Sequence, residues 1–247
     1  MLSSSNARLA AARRLTRRQA RRDAGRFLAE GAQAVREALA ADAVLELFAT
    51  AEAIERHPEL TADAAEISEK DAATLSETVT PQGLIAVCGA IDVSLGEALA
   101  RQPRLVAALV DSNDPGNAGT ILRTADAAGA SAVIFVGGVD PYNGKAVRAS
   151  AGSLFHLDVV LHASIEDVLA SGLQVLATTG TGDVDLYDIA LTKPTLWLFG
   201  NEARGLDPAV IAKADAGVRI PIFGKAESLN LAAAAAVCLY TSARAHR

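Results

Sequence analysis

Between residues 105 and 199 the chain repeats one pattern: a short, mainly apolar run, unbroken at its clearest, then a turn-rich or helical stretch. LVAALV at 105–110 is the clearest run, and others follow at 132–136, 157–161, 173–177 and 195–199. A strand with one wet face alternates polar and apolar residues, so unbroken runs describe strands covered on both faces. Helix signals stand between them. Ala118, Ile121, Leu122, Ala125 and Ala128 recur at helical spacing over 118–128, residues 165–170 read as another helix, and an Ala-rich helix runs from near Ser228 past Tyr240. This alternation predicts an α/β domain with a mostly parallel sheet and helices on both faces. In such sheets ligands lie at the carboxyl ends of the strands, so chemistry is expected in the loops after Val110, Ala177 and Phe199.

The first hundred residues carry a second, smaller α/β pattern. Helices are expected at 7–22, 29–40 and 51–56, the last stopped by Pro58, and a further one starts at Ser68. Strands are expected at 43–48 and 84–88. The chain of 247 residues then divides into a basic arm or helix at 1–26, a domain at 27–90, a linker at 91–104 and the sheet domain at 105–247.

Composition narrows the function classes. Hydrophobic residues make up 51% and aromatics only 4%, so the cores are aliphatic. No apolar run reaches the ~20 residues of a bilayer span, and the N-terminus lacks an apolar signal core; a cytoplasmic location is expected. Cys88 and Cys238 sit far apart in apolar stretches and read as buried thiols, and with four histidines outside ligand spacing no metal site is expected. The net charge of −6 is uneven: residues 1–26 hold eight arginines against Asp23, a local +7, while the 15 basic and 28 acidic residues beyond leave −13. Neutralising phosphates is a local affair, so this segment admits a nucleic-acid partner, a solvated basic helix being the plain alternative.

The loops have a distinctive chemistry. In NDPGNAGTILRT (113–124) two glycines and a proline constrain the backbone, Asn117 is placed like a helix cap, and Arg123 is the lone cation of a small, apolar helix. TTGTGD (178–183) follows a strand, but it lacks the third glycine of a dinucleotide fingerprint. GNEARGL (200–206) sets Glu202 between two glycines, and RIPIFGKAESLN (219–230) ends in Ser228, a cap candidate, and Asn230. Gly, Glu, Arg, Ser and Asn without a spare Cys or His are poor material for a triad or a metal centre. They suit polar recognition and a displacement on a polarised hydroxyl.

Three segments, NDPGNAGTILRTADAAG (113–129), LFGNEARGL (198–206) and RIPIFGKAESLNLAAAAA (219–236), resemble in order and spacing the motifs of the SpoU-type RNA ribose 2′-O-methyltransferases, within the SPOUT superfamily. RFLAEG (26–31) and TPQG (80–83) resemble parts of that family's N-terminal RNA-binding domain. The resemblance implies a SPOUT-type α/β sheet with a C-terminal trefoil knot, preceded by a small α/β ribosomal-protein-like RNA-binding domain. It implies S-adenosylmethionine as cofactor, with Gly200, Ile220 and Leu229 as binding positions and Thr178 and Thr179 lining the pocket. It also implies a homodimer whose RNA site is built across the interface, and a catalytic set of Asn117, Arg123, Glu202, Ser228 and Asn230.

Arg123 is the family's nominee for activating the ribose hydroxyl. A guanidinium stays protonated, so Arg123 reads better as a cation that holds the target phosphate and stabilises developing alkoxide charge. Ser228 and Asn230 would position the ribose and the cofactor's amino-acid end. Glu202 would orient Arg123, accept the proton through water, or serve as a structural carboxylate bonding loop N–H groups. Arg13, Arg14, Arg17, Arg18 and Arg148 are the RNA-contact candidates. The implied activity is methyl transfer to a ribose 2′-hydroxyl, and the extra first domain favours large-subunit ribosomal RNA. A tRNA methyltransferase, a resistance methyltransferase acting on ribosomal RNA, and a catalytically silent RNA-binding or assembly factor are the alternatives.

Overall fold

A computed structural model describes residues 1–78 and 80–246. Val79, in the expected 27–90 domain, and Arg247, at the end of the expected 105–247 domain, lie outside the described residues. In chain order the elements are α1 (Ala7–Arg14), α2 (Arg18–Ala24), β1 (Arg26–Glu30), α3 (Ala32–Ala40), β2 (Val44–Ala49), α4 (Ala51–Arg56), β3 (Ala65–Glu66), α5 (Glu69–Leu75) and β4 (Leu84–Gly89). They continue with α6 (Leu95–Ala100), β5 (Leu105–Val110), α7 (Pro115–Ala127), β6 (Ala132–Val136), α8 (Gly144–Ser150) and β7 (Asp158–Val160). The chain ends with α9 (Ile165–Leu169), β8 (Gln174–Thr178), β9 (Val184–Asp185), β10 (Thr195–Phe199), α10 (Pro208–Ile211), β11 (Ala216–Arg219) and α11 (Leu231–Ala245). They form two compact units: Met1–Ile91 with Asp140–His156, and Asp92–Val139 with 157–246.

The first unit is built on a four-stranded sheet of order β1-β4-β2-β3, antiparallel except for the β2–β3 pair. One face carries Leu28, Phe48, Ile85 and Val87, and onto it pack Leu9, Ala12 and Leu15 together with Ala72 and Leu75 of α5. The basic N-terminal segment is therefore no detached arm, because its apolar residues belong to the core. Nor is it one helix over 7–22: it breaks after Arg14, and Gly25, in the left-handed conformation that glycine tolerates, ends α2. Residues 26–30 are strand β1, so the helix expected over 29–40 begins only at Ala32.

Phe27, on the opposite face of β1, explains the insertion of 140–156 into this unit. Its ring stacks on Tyr142 at 4.5 Å and on Phe155 at 6.0 Å. Arg21, 5% exposed, donates from Nε and Nη2 to Asp140 Oδ2 at 2.9 and 2.7 Å. Arg148 Nη1 donates to Glu30 Oε2 at 3.3 Å. The expected linear division at 91–104 is corrected on two counts. The 105–247 domain lends 140–156 to the first unit, and 91–104 is no bare linker: its α6 buries Ala98 in the core of the second.

The second unit holds seven strands in the order β7-β6-β5-β10-β8-β11-β9, every pair parallel. β5 and β10 are the buried centre, as their unbroken apolar sequences require. Val106, Ala108, Leu196 and Leu198 pack into one cluster with Ile134, Val175 and Ala177. On α11, Ala232, Ala235, Cys238 and Leu239 are buried, and Ser242 Oγ accepts a 2.8 Å hydrogen bond from the buried Trp197 indole. Small side chains let this helix lie close to β10 and α7. The short strands β9 and β11, with α8 and α10, are additions to the expected elements. The chain runs outward from β5 to β6 and β7, whereas β10 flanks β5 on its other side, so a topological switch point lies between β5 and β10.

Leu9 is fully buried, so Leu9→Ala should destabilise the chain by about 2–4 kcal/mol, the cost of an aliphatic cavity. Denaturant unfolding checks this; a change below about 0.5 kcal/mol would make the segment a detachable arm.

Candidate active site

The loops after β5 and β10 leave the switch point side by side, and one carboxylate fastens them. Glu202 accepts from Ser112 Oγ at 2.7 Å, from the backbone N–H groups of Asn113 and Asp114 at 3.0 and 3.2 Å, and from Asn117 Nδ2 at 3.3 Å. Desolvation pushes its carboxyl up, but the Ser112 hydroxyl and the backbone N–H groups outweigh that and bring it down to about 2. Glu202 is thus ionised at neutral pH and is a weak base. Of the three roles considered for it, the geometry supports the structural carboxylate; no hydrogen bond or ion pair joins it to Arg123.

Asn201 completes the fastening. It is 8% exposed, donates from Nδ2 to Asp111 O at 2.8 Å, and accepts at Oδ1 from the backbone N–H groups of Ala203 and Arg204. The loop doubles back through paired backbone bonds between Asn201 and Gly205. A Cβ on Gly200 would stand 2.3 Å from the Gly205 carbonyl carbon, so glycine is required by the loop's own backbone. Sequence reasoning missed Ser112 and Asn201. The only signal for either was its place: Ser112 at the carboxyl end of a buried strand, Asn201 beside Glu202.

The expected cap at Asn117 is corrected. Asp114 caps α7, accepting from the N–H groups of Gly116 and Asn117, with Pro115 in the first turn. Asn117, freed of that duty, faces sideways. Its Oδ1 accepts from Asn230 Nδ2 at 3.1 Å, while its own Nδ2 reaches Glu202. The expected helix start at Ser228 shifts as well: Asn230 is the cap of α11, accepting from the N–H groups of Ala232 and Ala233. Ser228 Oγ makes no hydrogen bond to a described residue. An amide nitrogen has two hydrogens, so Asn117 and Asn230 each keep one N–H to offer a ligand.

These residues line a cavity of about 670 Å³ that includes Asn117, Glu202, Ser228, Leu229 and Asn230. That volume lies within the range of small-molecule sites. Four of the five expected catalytic residues therefore meet. Arg123 does not: it is exposed, makes no hydrogen bond or ion pair to a described residue, and is absent from the cavity lining. It stands six residues along α7 from Asn117, about 9 Å of helix rise. Of the expected cofactor positions, Leu229 lines the cavity, while Thr178, Thr179, Gly200 and Ile220 sit at the carboxyl ends of the adjacent strands β8, β10 and β11. The Thr178 hydroxyl donates to Leu198 O at 2.8 Å. Arg13 is committed to Asp71 at 2.6 Å and Arg148 to Glu30, so neither is a free phosphate contact; Arg14, Arg17 and Arg18 are exposed without ion pairs to described residues. Among the described residues no group of three His, Cys, Asp or Glu could hold a metal ion, and no helix is long and apolar enough to cross a membrane.

Comparison with known proteins decides the family. Residues 104–240 match the SpoU rRNA Methylase family, and residues 6–86 match the MRM3-like substrate binding domain. The chain belongs to the SpoU rRNA methylase family. This SpoU methylase is 36% identical over 220 residues, 87% of each chain, to the 23S rRNA (guanosine(2553)-2'-O)-methyltransferase RlmP of Bacillus subtilis (strain 168). It is 34% identical, with a TM-score of 0.84 over 99% of this chain and 97% of the other, to the AdoMet-bound rRNA methyltransferase from Sinorhizobium meliloti. The tRNA (guanosine(18)-2'-O)-methyltransferase of Escherichia coli (strain K12) is 37% identical over 153 residues, 58% of this chain and 65% of that protein.

The Glu202 clamp has a pH signature. With its folded value lowered from 4.5 to about 2, its stabilisation is whole above about pH 4.5 and is lost as pH falls through about 2. Glu202→Gln should lower the melting temperature by a few degrees at pH 7, and the gap to wild type should close near pH 2. A gap that does not depend on pH would remove the charge from this account.

Proposed function

We propose that this SpoU methylase transfers a methyl group from S-adenosylmethionine to a ribose 2′-hydroxyl of large-subunit ribosomal RNA, in the cytoplasm. The observation that carries the reading is the Glu202 clamp, which holds Asn117 and Asn230 3.1 Å apart beside Ser228 in a cavity at the switch point. The ribosomal choice is supported by relatives that match both units and carry ribosomal names, whereas the tRNA relative matches 58% of the chain.

The residues present fit the cofactor. Thr178, Thr179, Gly200, Ile220 and Leu229 bring hydroxyls, backbone and aliphatic surface with no charge among them, which suits a neutral nucleoside held by backbone groups. Their loops fit a trefoil knot. Strand β11 lies between β8 and β9, which are joined to each other directly by 179–183, an order that supports a reading in which the later strand enters through an earlier connection. The crossing is close: a Cβ on Gly182 would stand 2.6 Å from Gly217 O.

When bound, the cofactor supplies a methyl carbon already activated on a sulfonium. The Ser228 hydroxyl and the spare N–H groups of Asn117 and Asn230 orient the ribose oxygens, which converts an encounter into an aligned displacement. Glu202, ionised and fully engaged, keeps the two loops in register and takes no proton. The cavity lining has no His, Cys or Lys, and its two carboxylates are engaged, Asp114 as the cap of α7 and Glu202 as the loop clamp, so the hydroxyl proton goes to solvent water. Arg123 places positive charge beside the oxygen as that proton leaves. Because Arg123 lies outside the cavity of its own chain, we read the enzyme as a homodimer in which α7 of one copy completes the site of the other.

Calorimetric titration with S-adenosylmethionine should give saturable heat; its absence would leave a silent RNA-binding factor. Arg123→Ala should abolish methyl transfer to unmodified ribosomal RNA while cofactor affinity stays within a few-fold. Mixing Arg123→Ala chains with Asn230→Ala chains should restore part of the activity, since mixed dimers contain one intact site. No rescue after subunit exchange would place Arg123 in its own chain's site. Replacing Arg14, Arg17 and Arg18 together by Gln should weaken RNA binding and flatten its salt dependence, with a log–log slope smaller by about 2. An unchanged slope would return these arginines to the solvated surface.

A further inference from the structure

We infer that Phe223 is a stacking platform for an unpaired base of the RNA, next to the ribose that is methylated. The inference rests on the RNA-directed reading above and adds a residue to it. Phenylalanines are scarce, six in the chain, and Phe27, Phe48, Phe135 and Phe199 are buried, while Phe155 is half-buried against Phe27. Phe223 alone stands out, 90% exposed, on a stretch from Ile222 to Asn230 in which every residue is exposed. A bare phenyl ring in water gives up the burial that usually justifies it, which points to a flat partner.

Position names the partner's chemistry. Phe223 precedes Ser228, a cavity residue, by five positions, so the ring stands at most about 18 Å along the chain from the cavity. That is the reach of the target nucleotide and its neighbours. Lys225, which has no partner among the described residues, follows two positions on and is placed for a phosphate. Glu227 leaves the loop with no net charge, so the ring must supply most of the attraction. A second copy of this chain is a poorer occupant. Docking of protein on protein needs a contiguous apolar patch, and along the exposed stretch Phe223 has Ile222, 38% exposed, next to it, with Leu229, 39% exposed, six positions on beyond Gly224, Lys225 and Glu227. Recognition of single-stranded RNA needs only one ring face per base.

The test uses the full-length protein and two fluorescein-labelled 12-mers, oligoadenylate and an abasic ribose-phosphate chain, with binding read by anisotropy. Wild type should prefer oligoadenylate. Phe223→Ala should lose at least about fivefold in affinity for oligoadenylate and nothing for the abasic chain, and Phe223→Trp should keep the preference. Equal binding by wild type and Phe223→Ala, no preference in wild type, or an altered sedimentation coefficient in Phe223→Ala would overturn the inference, the last by assigning the ring to a contact between copies. Cofactor titration separates the two readings. If wild type bound no S-adenosylmethionine yet kept the stacking difference, the methyltransferase reading would fall, and with it the placing beside a methylated ribose, while the base-stacking role of Phe223 would stand.

Discussion

One held carboxylate governs the candidate site. The strands β5 and β10 are neighbours, but their loops have different sequences, and on the β10 side it is Leu206, at the far end of the loop, that packs into the core. Glu202 joins them by accepting four hydrogen bonds, three of them from the β5 loop and one from the first turn of α7. Charge-assisted bonds of this kind are roughly twice as strong as neutral ones. The same bonds that make Glu202 a good clamp make it a bad base, since every donor that holds the anion lowers its affinity for a proton. Alignment and reactivity are thus assigned to different groups, and the reactivity in the proposed reaction comes from the cofactor.

The first unit shows the same economy with cations. The +7 of residues 1–26 overstates what is available to a polyanion. Arg21 is buried against Asp140, Arg13 is bound to Asp71, and Arg8 to Glu46. Removing one partner of a buried pair such as Arg21–Asp140 leaves a stranded charge, typically at a cost of about 3–5 kcal/mol. These pairs are part of the fold, and Arg21–Asp140 helps hold the inserted 140–156 segment to this unit. Arg14, Arg17, Arg18, Arg22 and Arg26 are left exposed, without ion pairs to described residues.

Much of the fold was legible in sequence where burial was complete. LVAALV and TLWLF gave β5 and β10 their correct bounds because a strand covered on both faces leaves no polar interruption. The helix Ala51–Arg56 was equally clear, stopped by Pro58, and the structure adds Thr50 as its cap. The short strands β9 and β11 were not, since segments of two and four partly buried residues carry no period to detect. Caps were misplaced by two or three positions at α7 and α11. Asp114 and Asn117, like Ser228 and Asn230, are all capable caps, and local propensity does not rank them.

The sequence by itself determined a parallel α/β architecture, the family, and the residues from which a polar site would be made. It did so because apolar runs, turn residues and motifs are written in near neighbours. Only the tertiary structure decided which of those residues meet. Asn117 finds Glu202 85 positions away and Asn230 113 positions away, and Arg123 finds neither. Those contacts depend on the order of strands in the sheet, where β10 lies beside β5. Strand order is set by the packing of the whole unit, and no local stretch of sequence contains it.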